Sequence, residues 1–157
     1  VIVLRRIAGA CGITSQLVVL TALPVTISSS PWFSWTEYDM SVLGVKGSAK
    51  ALFNWGLFLT GVLSLIFAIG LRRSLLSSRL GQLGMVSLIL GSIALSAVGI
   101  FPRTIDLPHD LSSVAFFVFI VMGLSLIGTA ALTTSQTRWG LLSLTAGALM
   151  IIYWRVP

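Results

Sequence analysis

Asp39, Ser41, Asn54, Arg103, Asp106, His109 and Asp110 carry most of the polar chemistry this sequence has to offer. A guanidinium can pair with a carboxylate or an anionic headgroup, an amide both donates and accepts, and an imidazole donates, accepts or ligates near neutral pH. A hydrolytic site could use His109 as base or metal ligand, with Asp39, Asp106 or Asp110 assisting, or could pair Ser41 with His109 as nucleophile and base. The pattern gives that chemistry little support. Hydrolytic zinc normally takes about three protein ligands, often two or three of them histidines, and the chain has one histidine. Carboxylates would have to supply the rest, a set suited to harder ions. No G-x-S-x-G turn is present either. Metal and cofactor therefore stay unassigned. A binding role, in which the cluster clasps a lipid headgroup or small amphiphile, asks least of these residues.

The elements that must position them are membrane spans. Hydrophobic residues make up 56% of the 157-residue chain and charged ones 9%, whereas soluble proteins carry roughly a quarter charged. A helix crosses the hydrocarbon core with about 20 apolar residues, since each residue rises about 1.5 Å and every backbone polar group must be satisfied within the segment. Five stretches meet this description, at about 7–28, 51–71, 81–101, 111–132 and 139–153, the last one short. The expected fold is an all-α integral membrane protein, a single domain over 1–157 built as a bundle of about five transmembrane helices. The polar residues then fall on two loops, 29–50 and 102–110, and at the start of the second span. The first loop is too long for a simple turn and holds Trp32, Trp35 and Tyr38, which suggests a segment lying on the membrane surface, with a short interfacial helix in it.

Arg5 and Arg6 before an apolar run ending in small residues would also suit a cleavable signal peptide; the expectation taken here is a retained anchor. Arg5, Arg6, Arg72, Arg73, Arg79 and Arg138 fall on one side of these spans and Lys46, Lys50, Arg103 and Arg155 on the other. The basic excess predicts an inner N-terminus and an outer C-terminus, with both polar loops on the extracytoplasmic face of a multi-pass cell-membrane protein. Trp32, Trp35, Tyr38, Trp55, Tyr153 and Trp154 map near the outer boundary, and Trp139 near the inner one. The net charge of +6 does not indicate nucleic acid, because the basic residues are scattered between apolar runs rather than gathered on one face. The partners expected are membrane lipids.

Helices associate in lipid by close backbone approach at small residues. Such stripes occur at Gly56, Thr60, Ser64 and Ala68, at Gly84, Ser87 and Gly91 with Ser92, Ser96 and Gly99 beside them, and at Ser143 and Gly147. Packing within the chain is their simplest use, and contacts between copies in a homo-oligomer are the alternative. Gln16, polar and well inside the first span, is expected to face inward. Pro24 is tolerable where a span meets a polar loop. Cys11 is the sole cysteine, so no intrachain disulfide forms.

The stretches YDMSVLG at 38–44 and FNWGL at 53–57, then GIFP at 99–102 with a histidine soon after, resemble the uncharacterised membrane family known as domain-of-unknown-function family 998. The chain is more loosely similar to Frag-type and autophagy-modulator multispanning proteins. The resemblance covers most of the chain and marks Ser41, Gly44, Phe53, Asn54, Gly56, Pro102 and His109 as pattern positions. It implies commonly one span more than counted here, and no established reaction. Three functions remain open: binding of a lipid or amphiphile, with Ser41, Asn54 and His109 converging at one depth; a hydrolase of lipid or lipid-linked substrate; and a channel or transporter component, for which the spans offer few intramembrane charges.

Overall fold

A computed structural model describes residues 2–71, 78–134 and 136–155, the last three and residue 2 by backbone alone. Arg72 and Arg73 lie outside the described residues, as do the side chains of Tyr153, Trp154 and Arg155. The chain is all-α: α1 (Ile2–Ser28), a 3-10 turn (Met40–Gly44), α2 (Lys50–Gly70), α3 (Arg79–Ile100), α4 (Asp106–Thr133) and α5 (Thr137–Arg155). Four of these helices are long and apolar enough to cross a membrane, and α5 is a shorter apolar helix. This is a multi-pass membrane protein.

Local chemistry sets the helix ends. Ser78 caps α3 by accepting the Gly81 N–H at 3.0 Å, the ordinary side-chain cap for an orphan donor. α1 runs through Pro24 to Ser28, where the lost backbone bond falls near the helix end. The second loop is shorter than its polarity suggested. Asp106, His109 and Asp110 are not loop residues but belong to the opening turns of α4, because an acid at the first position and a proline just behind it, Pro108, both suit a helix N-terminus.

The extended contacts are those between consecutive helices, and each pair is antiparallel. A Cβ on Gly70 would meet Ala8, one on Gly12 would meet the Phe67 ring and one on Gly56 would meet Ala22, so the end of α2 lies beside the start of α1. Gly61 faces Ser92 and Ser96, and Gly99 faces Asn54 and Phe58. Gly84 faces Ile127, Gly91 faces Phe119 and Ile120, and Gly128 faces Gly140. α3 is thus the centre of the row, with Gly84, Ser87 and Gly91 against α4 and Ser92, Ser96 and Gly99 against α2. Burial follows: 39% of the most apolar stretch of α3 is buried, against 17% in α1. The small-residue stripes are seams within the chain. Gly61, which the stripe on α2 omitted, makes the tighter contact, with Ser96 N at 2.6 Å and Ser92 O at 2.8 Å from where a Cβ would sit.

Hydroxyls inside the seams return to their own helices. Thr26 donates to Ala22 O, Thr60 to Gly56 O, Ser87 to Leu83 O and Ser92 to Leu88 O, all at 2.7–2.9 Å. This satisfies the hydroxyl without asking a neighbour for anything. Ser96 adds a long bond of 3.4 Å across to Phe58 O.

Gln16 does not face inward. It is exposed on α1, and among the described residues its one side-chain hydrogen bond runs from Nε2 to Ser15 Oγ at 3.4 Å. Among the described residues α1 packs extensively against α2 alone, and Ala8, Ser15, Ala22 and Thr26 fill that face. Residue 16 sits about 100° around the helix from residue 15, beyond the reach of α2.

Candidate functional site

The antiparallel path gathers all four carboxylates, Glu37, Asp39, Asp106 and Asp110, at the end of the molecule where α1 stops, α2 starts, α3 stops and α4 starts. Two connections meet there, residues 29–49 and 101–105. The first is held by its aromatics. Trp32 packs edge-on to Phe33 and Tyr38, with ring centroids 6.2 and 5.8 Å apart, and Phe33 packs against Trp35 at 5.1 Å. The Lys46 ammonium sits 4.6 Å from the Trp32 ring centroid and 5.4 Å from that of Tyr38, which is cation–π distance. Gly47 beside it has φ +90°, and a Cβ there would meet the indole Nε1 at 3.1 Å. Glycine takes that backbone conformation at no steric cost.

The 3-10 turn seats this loop on α2. Leu43 is fully buried, and Asn54 Nδ2 donates to the Gly44 carbonyl at 2.9 Å. A Cβ on Gly44 would collide with Asn54 Oδ1 and press the Phe53 ring at 3.0 Å. Gly44, Phe53 and Asn54 are therefore one joint: two neighbouring residues near the start of the helix and a glycine whose lack of side chain lets them close on it. Gly99 completes the same region from α3, its Cβ position 2.5 Å from Asn54 O and 2.6 Å from Phe58 N.

Arg103, from the second connection, reaches the first. Its Nη1 pairs with Asp39 Oδ2 and lies 3.5 Å from Ser41 Oγ. Arg103 pairs with neither Asp106 nor Asp110, which are both exposed. The Arg103 and Asp39 side chains are 44% and 71% exposed, so water screens the pair and its contribution is about 0–1 kcal/mol.

His109 stands apart from this contact. It is 5% exposed, with Nδ1 at 2.8 Å from the Phe101 carbonyl and Nε2 at 3.5 Å from Ser113 Oγ. A carbonyl only accepts, so Nδ1 carries the proton. The ring thereby ties the exit of α3 to the entry of α4, satisfying one of the carbonyls that a helix end leaves without an intrahelical partner. Among the described residues no group of three His, Cys, Asp or Glu side chains comes together.

Between these features lies a cleft of about 500 Å³, walled by Gly44 and Val45, by Lys50, Ala51, Asn54, Trp55 and Phe58, and by Gly99, Ile100, Pro102 and Thr104 at the α3 exit. Its floor is apolar. Lys50 stands at its rim, exposed and, among the described residues, in no ion pair. The seven polar residues singled out in the sequence therefore divide: Asp39, Ser41 and Arg103 form one surface contact, Asn54 lines the cleft, His109 braces two helices, and Asp106 and Asp110 face outward. Lys50, Trp55 and Phe58 were not among them. Their signal was present, since a lysine and two aromatics open the second span at helical spacing, and it reads equally well as an ordinary membrane boundary.

A family model described as protein of unknown function (DUF998) matches residues 12–154. None of the curated proteins and none of the solved structures matches the chain.

Proposed function

The chain belongs to the DUF998 family of proteins of unknown function, and on that premise we propose that it binds a membrane amphiphile in the cleft beside Asn54. The orientation that goes with this reading is an inner N-terminus and a cell-membrane location, with α5 as a fifth crossing, so that the cleft opens at the extracytoplasmic leaflet. Arg5, Arg6, Arg79 and Arg138 at the opposite end support it, since basic residues accumulate on the cytoplasmic side. The observation that carries the proposal is the cleft itself: about 500 Å³, a volume within the usual range of ligand sites, roughly 300–1,000 Å³. Trp55 and Phe58 offer an acyl chain an apolar wall, and Lys50 offers an anionic headgroup an unpaired charge at the depth where headgroups sit. Hydrolysis finds less support, because His109 is buried and is not among the residues that wall the cleft, whereas a general base must come within hydrogen-bond reach of its substrate.

The test is native mass spectrometry of protein purified in mild detergent and exposed to a mixed lipid extract. The wild type is expected to retain lipid adducts enriched in anionic classes. Ala51→Trp, which fills the cleft from an exposed wall position, should remove most of them, and Leu141→Trp on α5 should not. Equal retention by all three proteins, or no adducts on the wild type, refutes the reading.

A further inference from the structure

We propose that two copies of this chain pair through α1, with Gln16 of each hydrogen-bonded to Gln16 of the other near the bilayer midplane. Gln16 lies ten residues beyond Arg6 and twelve before Ser28, which at about 1.5 Å per residue puts its amide deep in the hydrocarbon. The hydroxyl of Thr21, also exposed on α1, donates to Leu17 O at 2.7 Å. Among the described residues Gln16 has no such return bond. Its Nε2 has a single 3.4 Å contact with Ser15 Oγ, while lipid offers an amide neither donor nor acceptor.

The helix face around it is open. Ile13 and Leu20, three residues before and four after, are each 67% exposed, and a Cβ on Gly9, two turns back on the same face, would find no atom within 4 Å. That face lies away from the seam with α2, so its occupation would disturb nothing already packed. Three considerations select a second copy as occupant. A primary amide is both donor and acceptor and so complements itself across a two-fold axis. Copies inserted the same way bring Gln16 to equal depth without further design, whereas an unrelated helix needs a polar group at that level. Gly9 lets two backbones approach on the amide's own face. The inference is independent of the cleft, which lies at the far end of α2.

Single-molecule subunit counting in liposomes across a range of protein-to-lipid ratios tests it, in parallel with oxidative crosslinking in a Cys11→Ser background. Dimers of the wild type are expected, Gln16→Leu should weaken association about 3- to 20-fold, the span typical of interhelical side-chain hydrogen bonds, and Gln16→Asn should retain most of it. Leu20→Cys should crosslink and Val118→Cys, exposed on α4, should not. Gln16→Leu replaces a lipid-facing amide with an apolar side chain and is not expected to impair folding. A monomeric wild type at every ratio, a Gln16→Leu protein that pairs as tightly as wild type, or crosslinking at Val118 in place of Leu20 overturns the proposal.

Discussion

The seams between the spans and the joint at the loop-rich end both bury polar atoms, yet they use them in opposite ways. In the seams the hydroxyls of Thr26, Thr60, Ser87 and Ser92 bond to carbonyls four residues back on their own helix, and cohesion comes from glycine letting backbones touch. At the loop-rich end the bonds are long in sequence: Asn54 to Gly44, His109 to Phe101 and Arg103 to Asp39. Seams of the first kind fix how close two helices come and turn these buried hydroxyls back on their own helices. Joints of the second kind fix where loops lie, and they leave a cleft with Lys50 at its rim, in no ion pair among the described residues. A ligand site is therefore expected in the second region and not the first.

The sharpest way to break this comparison is to overfill a seam. Gly61→Leu must displace backbone atoms of Ser92 and Ser96, and overpacking of this kind costs about 1–3 kcal/mol or more. Loss of most folded protein in a denaturant titration in mixed micelles is expected, while Gly147→Ala, whose nearest contact would be 3.5 Å, should match wild type. If both glycines tolerate the change, the seams are not close-packed.

His109→Ala comes next. It removes a buried ring and leaves the part-buried Phe101 carbonyl without that partner, a loss of about 1–3 kcal/mol, read in the same titration. Asn54→Ala should cost about 1 kcal/mol through the Gly44 bond, and Ser143→Ala less than about 0.5 kcal/mol, as for positions outside any such network. Equal behaviour of these three variants would remove the distinction between joint and seam. The smallest effect belongs to Arg103→Gln. Its ion pair is exposed, so the expected change is about 0–1 kcal/mol and should fade as salt is raised; a larger, salt-independent loss would show that the two loops depend on this contact.

Much of this was legible beforehand. Apolar helices are legible in the sequence, because a long apolar run has few alternatives once every backbone group must be satisfied inside it, although α1 and α4 each begin about five residues before the runs at 7–28 and 111–132. The small-residue stripes on α2 and α3 were visible for the same kind of reason, since spacing alone puts Gly84, Ser87 and Gly91 on one face. Gln16 lies on an exposed face that its polarity does not predict, because inward and outward have no meaning in a sequence until the neighbours of a helix are known. The second loop was overextended because acids beside a proline read as loop and as helix start alike. Among the candidate residues, the pairing of Arg103 with Asp39 rather than the nearer Asp106 could not be foreseen, as nothing local separates the three carboxylates within its reach.

By itself the sequence determined what kind of solvent the protein lives in, how many apolar helices it makes and which family it belongs to, because hydropathy and motif spacing are properties of the chain taken in order. Only the tertiary structure decided that the helices stand in a row with α3 at its centre, that His109 is a brace, that Lys50 borders a cleft and that Gln16 is left on an open face. Each of these depends on which groups distant in sequence come within bonding distance, and that is set by the packing of backbones at the glycines rather than by the chemistry of the residues themselves.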